Sequence, residues 1–179
     1  MLDVLARLRQ DEPRAALLIV PRHPERGEAI AQLVAARGYV PRRRSRGETF
    51  ADPMREVYIL DTIGELKRFY TLARTVFVGK SLFAPGGGQN MLEPVALGVP
   101  TVYGPYTSNF RGVADVLLEH DGARLVRTAD ELALAVLALW RDPADARAMV
   151  ARGQAFVHSQ QGATARSVQA ITSVLDTAF

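Results

Sequence analysis

The stretch GGGQNMLEPVALGVP (86–100), reached from the strand-like run TVFVGKSL (75–82), sets a flexible glycine loop directly against a helix start. Three glycines can take backbone angles that turn N–H groups inward, and a helix opening near Asn90 would add unpaired N–H groups and the positive end of its dipole. The stretch is therefore a candidate phosphate trap. A carboxylate at Glu93, in the first turn, suits ribose hydroxyls better than phosphate, so the whole reads as half of a nucleotide site. A plainer account uses the same letters. Asn90 and Glu93 make an N-x-x-E capping box, which satisfies backbone N–H groups with no ligand at all. A capping box needs no glycine triplet ahead of it, so the rest of the chain has to separate the two readings.

Outward from this stretch, β-branched apolar runs alternate with segments of helical period, the pattern of parallel β-α units. The runs predict strands at 15–21, 38–44, 57–60, 75–80, 100–104 and 123–126. Helices are predicted at 2–10, 24–37, 64–73, 90–98, 109–119, 129–141, 143–159 and 162–177. Continuous apolar runs in the first and fourth strands suit a sheet covered by helices on both faces. The fold class is α/β, a Rossmann-like, doubly wound parallel sheet. No repeat or low-complexity linker divides residues 1–179, which are taken as a single domain, with the helices beyond 126 wrapping the sheet or reaching toward another domain. Met1 stands directly before an uncapped helical pattern, DVLARLRQ, and the chain is expected to be a fragment.

Composition narrows the chemistry. The 179 residues are 48% hydrophobic and 23% charged, and no apolar run approaches the roughly 20 residues of a membrane-spanning helix. The N-terminus has no apolar signal core. With no cysteine, disulfides and thiolate metal sites are out, and His23, His120 and His158 have no ligand spacing, so no metal site is expected. The net charge of +3 is modest but concentrated in PRRRSR (41–46). Such a run is more often a solvated face than a partner surface, although arginine grips oxyanions with two parallel bonds and would suit an anionic membrane. No aromatic residue interleaves it, which argues against nucleic acid.

Ligands of open α/β sheets bind beyond the C-terminal strand ends. The segments there are PRHPER (21–26), DTIGEL (61–66), SLFAPGGGQN (81–90) and GPYTSNF (104–110). All four are expected on one rim, presenting an arginine, helix starts and a glycine loop together.

These segments, with Tyr70 after DTIGEL and with ALGVP after GGGQNMLEP, occur in an order and spacing that resembles the C-terminal, donor-binding domain of the 3-deoxy-D-manno-octulosonic acid (Kdo) transferases. The resemblance covers most of the chain. It implies a two-domain GT-B glycosyltransferase that moves Kdo from CMP-Kdo to a lipid A precursor in lipopolysaccharide biosynthesis, at the cytoplasmic face of the bacterial inner membrane. It also implies that the general base and acceptor site lie in an N-terminal half outside this chain, leaving no catalytic residue here and an inactive isolated domain. CMP-Kdo is then a donor substrate, and no cofactor is expected.

Carried over residue by residue, the resemblance assigns Pro21 and Arg22 to the donor, the guanidinium facing phosphate or sugar carboxylate. It assigns backbone groups of Ile63, Gly64 and Glu65 to the cytosine. The loop Gly87, Gly88 and Gln89 with Asn90, Met91, Leu92 and Glu93 takes phosphate and ribose. A helix start capped by Thr62 is the plainer reading of 62–65. The chain departs from the family pattern at Gln89, where histidine is common, at Tyr106, likewise, and in a glycine loop one residue longer. Gln89 can donate and accept a hydrogen bond but carries no proton charge. Two alternatives stay open: a GT-B transferase or epimerase using a UDP-sugar, and a non-catalytic module that binds nucleotide or membrane.

Overall fold

The computed structural model describes residues 1–160, 168 and 171–173. The chain opens with helix α1 (Leu2–Asp11), then β1 (Leu18–Ile19), a 3-10 turn over Pro24–Arg26 and α2 (Gly27–Ala36). Next come β2 (Val40–Arg43), a second 3-10 turn over Arg44–Arg46, β3 (Glu56–Ile59), α3 (Leu66–Tyr70) and β4 (Val76–Phe77). They are followed by α4 (Leu92–Ala96), β5 (Thr101–Tyr103), α5 (Arg111–Glu119), β6 (Arg124–Leu125), α6 (Ala129–Arg141) and α7 (Pro143–Ser159). Five strands fall inside predicted runs, and β3 begins one residue before its run. The helix predicted at 162–177 lies outside the described residues except Val168 and residues 171–173, which are helical.

All strand pairs are parallel, but the hydrogen bonds form two ladders of three strands, β2-β3-β1 and β4-β5-β6. Among the described residues no ladder joins β1 to β4. One core nevertheless serves both. Val57 and Ile59 of β3 pack in the same cluster as Val102 of β5 and Leu82, with Val4, Leu5 and Leu8 of α1, Val34 of α2, and Leu132, Val136 and Leu137 of α6. A second cluster, of Val78, Met91, Val95, Tyr103, Ala114 and Leu117, lies under α4 and α5. The late helices thus wrap the sheet. α6 starts on a Thr128 cap that accepts from Glu131 N, and α7 on an Asp142 cap followed by Pro143.

Two helices at the rim are shorter than their sequence pattern. α3 starts at Leu66 because Gly64 turns the chain at φ +88 just before it. α4 starts at Leu92 and stops before Gly98, at φ +75.

Candidate functional site

Specific bonds join three of the four strand-end segments, and the fourth, 61–66, follows β3, which pairs in parallel with β1. Arg22 Nη1, after β1, donates to Gln89 Oε1 at 2.9 Å across 67 positions of sequence. The glycine loop after β4 is pinned to the loop after β5: Gly87 N donates to Tyr106 O and Asn109 N to Gly87 O, each at 3.0 Å. Gly88 N donates to Lys80 O at 3.0 Å. Loop and strand end meet closely at Gly104, whose N–H reaches Ser81 Oγ at 2.8 Å and whose Cα hydrogen space is already filled by Leu82, a Cβ there lying 2.6 Å from Leu82 Cα.

This geometry corrects the phosphate-trap account of the glycines. The N–H groups of Gly87 and Gly88 are spent on backbone carbonyls, so these residues build the loop rather than line it with donors. Gly87 and Gly88 take φ +126 and +71, which explains glycine at both. The helix contribution is also smaller than expected, since a dipole summed over the five residues of α4 is slight. Nor is the N-x-x-E pair a capping box. Asn90 Oδ1 accepts from Leu92 N at 3.0 Å, while Asn90 Nδ2 donates to the Glu93 carboxylate at 3.2 Å, and Met91 holds the N-cap position without a side-chain bond. Met91 itself is fully buried in the second core cluster, so its side chain anchors the loop and faces no ligand. Glu93 lies close enough to Tyr70 that its charge, after burial, helps push the phenol up to about 12.

In the DTIGEL segment after β3, Ile63 is 87% exposed. Glu65 accepts from Thr62 Oγ1 at 2.6 Å and from Arg44, which brings Nε to 3.0 Å and Nη2 to 2.6 Å. These bonds hold the Glu65 carboxyl down at about 2, Arg44 contributing most. Thr62 therefore bonds a carboxylate and caps no helix.

Sequence reasoning missed the carboxylates under the arginine run. Asp61 has a side chain only 1% exposed and accepts from Ser45 N at 2.9 Å, Ser45 Oγ at 2.7 Å and Arg43 Nε at 2.7 Å. Burial opposes its ionisation, but these bonds outweigh it and its pKa is lowered. Gly27 belongs to the same arrangement, because a Cβ there would lie 2.7 Å from Asp61 Cβ. Glu56 accepts from Ala51 N, Asp52 N and Arg42, the two backbone donors doing most to bring it down to about 2. Arg46 and Arg43 both reach Glu28. All four arginines are thus paired with carboxylates of the same chain, and Arg42, Arg44 and Arg46 remain on the surface, with side chains 38%, 43% and 57% accessible. A polar residue ending an apolar strand run, as Asp61 does, was the available signal.

A hollow of about 300 Å³ lined by Arg74, Pro100, Arg147 and Gln154 lies at the opposite, N-terminal ends of β4 and β5, away from this rim.

A parallel α/β sheet with converging strand-end loops defines a Rossmann-like domain of the kind that forms the C-terminal half of a GT-B glycosyltransferase. The chain is 40% identical over 163 residues to the 3-deoxy-D-manno-octulosonic acid transferase of Bordetella pertussis, and superposes with TM-score 0.81 and 32% identity on the crystal structure of the C-terminal CMP-Kdo binding domain of WaaA from Acinetobacter baumannii. It belongs to the 3-deoxy-D-manno-octulosonic acid transferase family. The match covers 89% of this chain with the Bordetella protein, and 87% of this chain and 80% of that domain with the Acinetobacter structure. The Haemophilus influenzae enzyme of the same name is 34% identical over 92% of the chain. The chain spans 37% and 38% of the lengths of the Bordetella and Haemophilus proteins. A sucrose-phosphate synthase from Thermosynechococcus elongatus, 17% identical with TM-score 0.55, shares the fold alone. No family model matches.

Proposed function

We propose that residues 1–179 form the donor-binding domain of a two-domain Kdo transferase, holding CMP-Kdo while the other half supplies acceptor and general base. The observation that carries this reading is the Arg22–Gln89 bond, which brings a guanidinium onto the glycine loop within the rim where α/β ligands bind. One N–H is used on Gln89, and the guanidinium has further donors for an oxyanion. In the transfer, an acceptor hydroxyl oxygen attacks the anomeric carbon, the bond from that carbon to the phosphate oxygen breaks, and CMP leaves with the electron pair. The hydroxyl proton passes to a carboxylate outside this chain. Negative charge grows on the departing phosphate, so a contact from Arg22 strengthens toward the transition state. Asn90 holds the Glu93 carboxylate toward the ribose, and the Ile63–Glu65 turn offers backbone groups to the cytosine. The reading assigns no cofactor and no metal to this half, the sequence having no Asp-x-Asp pair.

A lipid A precursor as acceptor places the reaction at the cytoplasmic face of the inner membrane. The described residues contain no helix long and apolar enough to cross a membrane. Calorimetry with CMP, UMP and UDP tests the proposal. CMP should bind best and weakly, and a clear preference for UDP would replace it with a UDP-sugar enzyme on the same fold.

A further inference from the structure

Three consecutive residues of the arginine run, Arg43, Arg44 and Ser45, bond one turn, while Arg42 and Arg46 reach Glu56 and Glu28. Ser45 holds Asp61 through both its N–H and its hydroxyl, Arg43 adds a third bond, and Arg44 grips Glu65 with two nitrogens. The turn from Asp61 to Glu65 is therefore clamped at both ends by consecutive residues of β2 and the 3-10 turn that follows it. Between the clamps Gly64 sits at φ +88 and Ile63 projects into solvent. The Asp61 end is buried and serves the fold, but the Arg44–Glu65 end is only partly covered, with side chains 43% and 23% accessible, where an ion pair adds little stability. What a forked pair does supply is direction, since two bonds fix the carboxylate, and with it the backbone of Glu65, in one orientation.

We propose that Arg44 is a positioning residue of the nucleotide site, holding the Ile63–Gly64–Glu65 turn in the form that presents its backbone to the base, so that base discrimination depends on a side chain that touches no ligand. This rests on the reading of the rim as a CMP site. The exposed Ile63 beside the clamp is an apolar surface that a base would cover.

The test uses the full chain as wild type, Arg44→Gln and Arg44→Lys. Calorimetry gives the affinities of CMP, cytidine and UMP, and nitrogen-15 NMR follows the amides of Ile63 and Gly64 without ligand. Arg44→Gln should leave the unfolding midpoint nearly unchanged, shift or broaden both amides, and weaken CMP and cytidine by the same factor, up to about fivefold, since a clamp can lend the turn no more order than the pair itself is worth. The preference for CMP over UMP should shrink. Arg44→Lys keeps the charge without the fork and should recover part of the affinity; it carries the comparison if Arg44→Gln does not fold. Unmoved amides, or CMP bound as tightly as by the wild type, would overturn the inference alone. A wild type that ignores CMP would instead sink the reading of the site, and the role in base recognition with it.

Discussion

Replacing Gly86 by alanine should damage both the fold and nucleotide binding, while the same change at Gly79 should not. A Cβ on Gly86 would fall inside the van der Waals envelope of Tyr106 Cβ, with Lys80 O at 3.0 Å and Tyr106 Cγ at 3.1 Å. Carbon atoms prefer about 3.5–4.0 Å, so the glycine loop and the loop after β5 must part by a large fraction of an ångström or more. Two inter-loop bonds, Gly87 N to Tyr106 O and Asn109 N to Gly87 O, resist that parting. Forced overpacking of this kind costs about 1–3 kcal/mol. For a chain of this size that lowers the melting temperature by roughly 2–4 °C per kcal/mol. Displacement of the loop also carries Gln89 away from Arg22, so CMP affinity should drop further than stability alone explains. Gly79 has open space around its would-be Cβ and no positive φ. Alanine there should be neutral or add about 0.4–1 kcal/mol by restricting the unfolded chain. Thermal unfolding and CMP calorimetry on both variants decide the matter. If Gly86→Ala melts and binds like the wild type, the close packing of the two loops is not what holds the rim together.

Arg22→Lys keeps the charge but loses the planar fork, and should weaken CMP by roughly 1–2 kcal/mol while leaving cytidine unaffected, as titration of both ligands would reveal. Acid should destabilise the chain in a defined window. Glu56 is lowered from 4.5 to about 2, so its stabilising contribution is complete above 4.5 and disappears as pH falls through about 2. Urea unfolding of Glu56→Gln across that range should show a shallower decline than the wild type; an identical slope would show that Glu56 is not tied to the fold. In vesicle co-sedimentation the chain should show little affinity for anionic lipid at physiological salt, because the four arginines face Glu28, Glu56, Asp61 and Glu65. Binding that rises with anionic lipid and is lost when Arg42, Arg43, Arg44 and Arg46 become Gln would contradict this.

The six strands were legible as short runs between helical patterns, a local signal, although β2 (VPRR) and β6 (RL) carry arginines and are not apolar along their length. The convergence of the strand-end segments was legible because parallel strands put their C-terminal ends on one side. Ladder extent was not, as pairing stops where the partner strand diverges, which no single strand records. The side chains at the rim were read least well. Asn90 and Glu93 have the spacing of a capping box, yet α4 starts two residues beyond Asn90 and the pair bond each other instead. Met91 reads as part of a ligand motif but is fully buried, because the turn before α4 points it inward. For the arginines, the sequence neighbourhood contains no carboxylate between 41 and 46. Glu28, Glu56, Asp61 and Glu65 arrive from α2, β3 and the turn that follows, a meeting that only the fold creates.

Bonds within the rim also limit how strongly it can hold a nucleotide. Polar groups at a strand-end rim can face water, ligand or each other, and here the third option takes many of them. Two glycine N–H groups bond neighbouring loops, Leu92 N is satisfied by Asn90, and Glu65 is occupied by Arg44 and Thr62. Each such bond stiffens the rim, which lowers the ordering cost of binding, but also removes a donor or acceptor from the ligand. The Arg22 guanidinium keeps donors for an anion beyond the one given to Gln89. One exposed guanidinium gives modest affinity in water, and the same contact gains strength once water is excluded around it. Weak CMP binding by this chain is therefore what a rim whose polar groups are spent on one another should show.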